Sequence, residues 1–187
     1  MRLDDMVDAL VLEVPGCPRP LIRDMLRWAQ RELCTEGNAW IFNDGPVVVG
    51  ANTPYAEVEV PSGAEALRLI DLRLPSGQAL KPGYDYRQTG GNGVEFLRGR
   101  PDSITLLGSL ACRPANGQDM PAELLARWSG ALMDGARYRL LLLPQSWQNP
   151  QLAELYRRQF LAAQSDARQL AREGYQSGTY RAHPRFT

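Results

Sequence analysis

The 187-residue chain is 44% hydrophobic and 22% charged, with 21 lysines and arginines against 21 aspartates and glutamates. That length makes one ordinary globular domain or two very small ones, able to bury roughly 70% of the unfolded surface without a metal or disulfide staple. A formal charge of zero excludes the whole-chain basicity of a dedicated nucleic-acid binder, leaves only a local patch, and points to protein as the dominant partner.

From Leu3 to Gly37 the apolar period is helical. A short helix is expected from about Asp4 to Glu13, ended by Val14-Pro15-Gly16. Pro18 and Pro20 then open a second helix, where proline is tolerated because first-turn N–H groups have no intrahelical partner. Ile22, Met25, Leu26, Ala29 and Leu33 mark its buried face, and Arg23, Arg27, Arg31 and Glu32 its wet side. Gly37 is the expected left-handed stop, with Asn38 to Phe42 leading into another element.

Between about Asp44 and Ala115 the helical period disappears, and prolines 46, 54, 61, 75, 82, 101 and 114 cut the chain into short pieces. Val47–Val49, Tyr55–Val60, Leu67–Leu74, Val94–Leu97 and Ser103–Cys112 read as strands, with Pro75-Ser76-Gly77 and Gly90-Gly91-Asn92-Gly93 as turns. Short strands without intervening helices predict an antiparallel sheet or small sandwich rather than a nucleotide-binding α/β fold.

The helical period returns after Gln118. Asp119 is the expected cap and Pro121 lies in the first turn, with Leu125, Trp128, Leu132, Ala136, Leu140 and Leu143 down one face until Pro144. Gly130, Ala131, Gly135 and Ala136 leave its middle thin. A last helix starts with Asn149 as cap and Pro150 behind it, carries Leu152, Leu155, Tyr156, Phe160, Ala163, Ala167 and Leu170, and stops near Gly174. Tyr175 to Thr187 has aromatic and basic residues but no period, and reads as an arm. The expected fold class is α+β, a helical bundle built from residues 1–44 and 116–174 with a small antiparallel β domain, 45–115, inserted between them and an arm over 175–187.

The longest strongly apolar run, Leu140 to Leu143, is far short of the roughly 20 residues of a membrane span. The N-terminus turns acidic at Asp4 and Asp5 without the apolar stretch of an export signal, so a chain made and kept in a cytoplasm is expected. Cys17, Cys34 and Cys112 fit buried reduced thiols, and with His183 the only histidine a zinc site cannot readily close. Asp4, Asp5 and Asp8 complement a helix dipole better than they assemble a catalytic centre. Gly90–Gly93 lacks the Gly-Lys-Ser/Thr ending of a phosphate loop, and Trp40 and Trp128 fit core packing better than a ligand cage. No catalytic, cofactor-binding or metal-ligating residue is assigned, and no enzyme is expected.

Charge placement carries more than the total. Residues 1–61 hold 5 basic and 10 acidic side chains, whereas residues 137–187 hold 8 and 3. Two readings stay open: an ordinary solvated surface, or a head-to-tail contact in which one copy's acidic face meets the next copy's basic face. In the arm, Tyr180-Arg181-Ala182-His183-Pro184-Arg185-Phe186 combines aromatic anchors with cations and no acids, which fits a segment that orders on a partner.

Taken together, these segments resemble a family. Val14-Pro15-Gly16-Cys17-Pro18, then Arg31-Glu32-Leu33-Cys34-Thr35-Glu36 and Ala39-Trp40, resemble the opening of head-to-tail connector (adaptor) proteins of tailed bacteriophages. Leu124-Leu125-Ala126-Arg127-Trp128, Gly130-Ala131-Leu132 and Gly135-Ala136-Arg137-Tyr138-Arg139-Leu140, followed by Pro144, Trp147, Asn149-Pro150 and Tyr156 to Phe160, resemble its closing pattern. The likeness spans nearly two-thirds of the chain, and the β insertion matches only in kind. It implies a homo-oligomeric ring, commonly of about twelve subunits, beneath the portal protein, offering a platform to a tail tube, nozzle or collar protein. Double-stranded DNA would pass through the channel without sequence-specific binding, and the protein would reside at the head–tail junction of the virion after synthesis in the host cytoplasm. Such a C-terminal segment reaches toward the portal, which makes Tyr180, Arg181, His183, Arg185 and Phe186 the expected docking residues. The alternative is a non-viral cytoplasmic protein-interaction or small-ligand-binding module.

Overall fold

The computed structural model describes residues 2–99 and 102–173, and these form a mixed α+β fold. Helix α1 (Leu3–Val11) turns back at Val14–Cys17 into α2 (Arg19–Gly37), whose first turn carries Pro20. Strands β1 (Trp40–Asn43), β2 (Val47–Val49), β3 (Tyr55–Glu57), β4 (Ala64–Arg73), β5 (Tyr86–Thr89), β6 (Gly93–Phe96) and β7 (Ile104–Pro114) come next. Helices α3 (Ala122–Leu142) and α4 (Pro150–Glu173) come last.

Every pairing between the named strands is antiparallel. The long strand β7 organises the first sheet: β1 pairs with residues 109–112, β2 with 104–106, and β4 with 107–114. Because β1 and β4 pair with the same stretch of β7, they must occupy its opposite edges. The Asp44 N–H donates to the Gly108 carbonyl at 2.8 Å and carries the β1 edge onward to β2. The second sheet has the order β3-β6-β5, with Gly90–Asn92 as the tip of the β5–β6 hairpin. Val58, just past β3, is buried against Gly108 and so brings this sheet onto β7.

Helix α2 is the shared wall of the core, packed against α1, α3, α4 and β7, while α3 packs along α4. Ile22, Leu26, Ala29 and Leu33 are fully buried, as expected, whereas Met25 is only half-buried and Gln30 takes a core place. The Gln30 carbonyl oxygen accepts the Met120 N–H at 2.8 Å, which ties the loop before α3 to α2.

That tie explains one departure from expectation. Asp119 does not cap α3; its carboxylate instead takes the Arg27 Nε–H at 3.2 Å, and Pro121 stands at the cap position. Asn149, in contrast, does cap α4, its Oδ1 accepting the Leu152 N–H at 3.0 Å. Trp128, expected on the buried stripe of α3, is half-buried, and Leu155 of α4 is 50% exposed. Asn38 to Phe42 leads into β1, and β5 lies outside the expected strands because Tyr86-Arg87-Gln88-Thr89 has no apolar alternation. The expected strand Tyr55–Val60 closes at Glu57, the expected Leu67–Leu74 begins earlier, at Ala64, and the expected Ser103–Cys112 runs on to Pro114.

Gly37 has a different job from the one expected. The left-handed residue is Asn38 (φ 52°), and Gly37 is the last helical residue. A Cβ on Gly37 would lie 2.9 Å from the Cβ of Ala167, so the missing side chain lets α2 touch α4. Gly135 plays the same part for α3, where a Cβ would lie 3.0 Å from both Ala29 and Phe160. Gly130 meets nothing within 4 Å. A Gly37→Ala variant is therefore expected to lose about 1–3 kcal/mol by overpacking. Gly130→Ala should gain up to about 1 kcal/mol from helix propensity alone, and urea midpoints of the two variants check the contrast.

Candidate docking surfaces

The expected docking residues Tyr180, Arg181, His183, Arg185 and Phe186 lie outside the described residues. The described residues include a set of ion pairs, a groove beside the first sheet and a few outward-facing leucines.

The ion pairs begin with α2. Arg19, Arg23, Arg27 and Arg31 recur at a spacing of four, which places them in one row along a helix. Arg19 pairs with Asp8 and Arg23 with Asp4, an acid pair of the same spacing met in reverse order because α1 runs back against α2. Arg27 pairs with Asp119, and Arg31 reaches Glu65 at 3.2 Å and the Pro114 carbonyl. Arg113 donates to the same Glu65 carboxylate at 2.9 Å. Hydrogen bonds from Arg113 and Arg31 hold the Glu65 carboxyl below its ordinary range, and the Arg23 hydrogen bond does the same for Asp4. With Asp5 accepting the Arg2 N–H at 2.7 Å, the three early aspartates are engaged as structural acceptors.

The two charged ends of the chain also meet inside one molecule. Arg137 grips Glu13 through Nε and Nη2, both at 2.7 Å, while its Nη1 donates to Asp134 at 2.8 Å. Arg168 reaches the carbonyl and carboxylate of Glu36. Arg157 and Arg158 share Glu154 on α4 itself. Part of the acidic excess at the start of the chain is thus neutralised by the basic excess at its end in cis, which reduces the charge left for a contact between copies.

Aromatic side chains are packed rather than caged. Trp28 stands 5.8 Å from Phe160 and 6.2 Å from Tyr138, with the Arg139 guanidinium 4.4 Å from its ring centroid. Trp40 is buried, and the Trp147 Nε1–H donates to the Leu140 carbonyl at 3.2 Å across the α3–α4 reversal. The three thiols are buried and free; burial pushes Cys34 up to about 12 and Cys112 up to about 11, which keeps both protonated and poorly nucleophilic at neutral pH. Among the described residues, no three His, Cys, Asp or Glu side chains group to hold a metal, and no helix is long and apolar enough to cross a membrane.

A groove of about 960 Å³ runs between the first sheet and the last turn of α4. Ile41, Ile70 and Leu107 form its floor, Leu170 and Glu173 its helical wall, and Asp44 one end. Ile70 and Leu107 are each 39% exposed. Elsewhere Leu12, Leu142, Leu155 and Leu161 stand out from the helices into solvent.

Sequence reasoning puts the row of α2 arginines on the wet side and does not reveal their partners. The signal is present in the matched four-residue spacing of Asp4 with Asp8 and of Arg19 with Arg23. The groove has no such signal, since β1, β4, β7 and α4 converge there from distant parts of the chain. No protein-family model matches the chain, and no curated protein matches it either.

Proposed function

We propose that this chain is the subunit of a ring-forming head-to-tail adaptor of a tailed bacteriophage. It attaches beneath the portal protein, continues the DNA channel and offers a platform to a tail tube, nozzle or collar protein. In this reading the helices of both chain ends, 1–44 and 116–174, act as one bundle, the β unit 45–115 projects from it, and residues 175–187 engage the portal.

One observation carries the reading: the residues of the closing pattern of the resemblance, from Leu124 to Phe160, build a single helical hairpin. Trp147 staples the reversal to Leu140, Asn149 caps α4, and Gly135 lets α3 close on α2 and α4. Helices so fixed suit a part repeated side by side around a ring, and Leu142, Leu155 and Leu161 offer apolar contacts on them. The reading as a structural part rather than an enzyme is supported by the engagement of Asp4, Asp8, Asp119 and Glu65 in arginine pairs. Paired arginines also suit a channel that lets DNA slide, since phosphate contacts are what hold DNA in place.

The test is electron microscopy and mass photometry of the full chain, alone and mixed with a phage portal. A closed ring, free or on the portal, is the expected outcome, and a strict monomer that ignores the portal would refute the proposal. A chain ending at residue 174 is expected to keep its helical circular dichroism but to hold the portal at least tenfold more weakly, and unchanged attachment would remove the arm from the interface. The groove favours a second reading, a cytoplasmic protein-interaction or small-ligand module, which predicts a monomer whose groove binds a partner.

A further inference from the structure

We infer that the groove between the first sheet and α4 is the seat, in the unassembled chain, of the chain's own segment 174–187. The inference stands apart from the ring proposal, because it concerns a single copy before any partner is met.

Continuity comes first. Glu173, the last described residue, itself lines the groove together with Leu170 of the preceding turn, so segment 174–187 starts at the groove wall. Fourteen residues can span roughly 46–50 Å when extended, more than enough to cross the sheet face from that point. A segment tethered with no intervening linker has an effective concentration on the order of mM. An intrinsic Kd of about 0.1 mM would then leave it seated about nine-tenths of the time, whereas a second copy at micromolar concentration could not compete.

Chemistry points the same way. The floor offers Ile41, Ile70 and Leu107, apolar side chains on a sheet face whose neighbours Asn43, Asp71 and Ser109 are polar. The segment supplies Tyr175, Tyr180 and Phe186, large rings set among mostly small and polar residues. Charge is complementary. Asp44, Asp71 and Glu173 outnumber Arg73 and Arg172 along the groove, while the segment carries Arg181 and Arg185 and no acidic side chain. Asp71 is already paired with the Arg73 guanidinium, whereas Asp44 accepts the Glu59 N–H at 2.9 Å and Glu173 the Gln169 side-chain amide at 2.9 Å, neutral donors that leave both carboxylates charged toward those arginines.

Photocrosslinking in the full chain tests the inference. A benzophenone amino acid replaces Phe186, and a mixture of isotope-labelled and unlabelled chains at micromolar concentration is irradiated and mapped by mass spectrometry. Crosslinks within one isotope class to residues 41–44, 70–73 and 107–109 are expected. Leu107→Asp, a change at a partly exposed position, is expected to lower them at least fivefold with unchanged circular dichroism. Mixed-isotope products in the majority would assign the groove to a second copy and overturn the inference. So would crosslinks elsewhere, no crosslinks, or indifference to Leu107→Asp. Mass photometry of the same sample reports the ring separately, so failure of the seat and failure of the ring are told apart.

Discussion

Replacing Phe160 with alanine is expected to cost about 3–5 kcal/mol, the largest stability loss of any single truncation in the helices. Phe160 is 2% exposed and is where three helices meet: its ring packs on Trp28 of α2 and lies under Gly135 of α3. Because Gly135 has no side chain and α3 is held by the Trp147 staple, the helices cannot move in to fill the space, so the cavity term adds to the lost transfer energy. At about 2–4 °C per kcal/mol for a chain of this size, the midpoint of thermal unfolding should fall by roughly 6–20 °C. Phe160→Leu, which keeps most of the volume, should lose less than half as much. Leu155 gives the contrast. Half-exposed on the same helix, it should change the subunit's stability by no more than about 0.5 kcal/mol as Leu155→Ala. If the ring proposal holds, Leu155→Glu weakens assembly while leaving the unfolding midpoint of the subunit in place. A Phe160→Ala midpoint within about 2 °C of the parent would overturn the packing argument.

The helices are legible because their signals are local. Pro18 and Pro20 before an apolar stripe, Asn149 before Pro150, and Pro144 after a helical run mark termini through backbone chemistry acting over a few residues. All five expected strands fall within three residues of their observed bounds at both ends. The misreadings trace to neighbours distant in the chain. Gly37 reads as a stop because glycine tolerates a left-handed backbone, yet the constraint is Ala167 of α4, 130 residues on. Asp119 reads as a cap because it precedes a helix, but Arg27, 92 residues earlier, claims it first. Strand β5 has no pattern of its own and exists because β6 pairs with it.

The candidate surfaces are less legible than the fold, for the same reason. Residue counts separate an acidic start from a basic end, and that contrast invites a contact between copies. Folding brings Glu13 to Arg137 and Glu36 to Arg168, and so brings part of the two excesses together inside one copy. Any ring interface must therefore rest more on apolar contacts such as Leu142, Leu155 and Leu161 than on net charge, which fits the modest value of exposed ion pairs. The groove cannot be foreseen from the sequence, but the composition of segment 174–187 can be read there directly: three aromatic side chains and two arginines without an acid.

Arg137→Met should be the most costly loss of a charge, about 1.5–3 kcal/mol near neutral pH. This value sits between exposed pairs, worth about 0.2–1 kcal/mol, and broken buried pairs at about 3–5, because the Arg137 side chain is 19% exposed and its partners Glu13 and Asp134 are 39% and 21% exposed. The guanidinium also lies 5.1 Å from the centroid of Tyr156, so one side chain ties the turn after α1 to α3 and α4. The pH dependence gives the sign. Burial raises the Asp134 carboxyl above its ordinary range even with Arg137 beside it, and Arg137 is the group that opposes this rise. Removing the arginine lifts Asp134 further, and a carboxyl raised in the folded state gives stability that is present below its unfolded pKa and lost as pH rises through its folded one. The deficit of Arg137→Met is therefore expected to be largest at pH 7 and to shrink as pH falls toward about 4, the ordinary range of an aspartate. Asp134→Asn in the same background should recover at least a third of the loss at pH 7, since it removes the charge left without its partner. Urea unfolding of the parent and both variants between pH 4 and 8 checks this, and a deficit independent of pH would show that Arg137 acts through its packing alone.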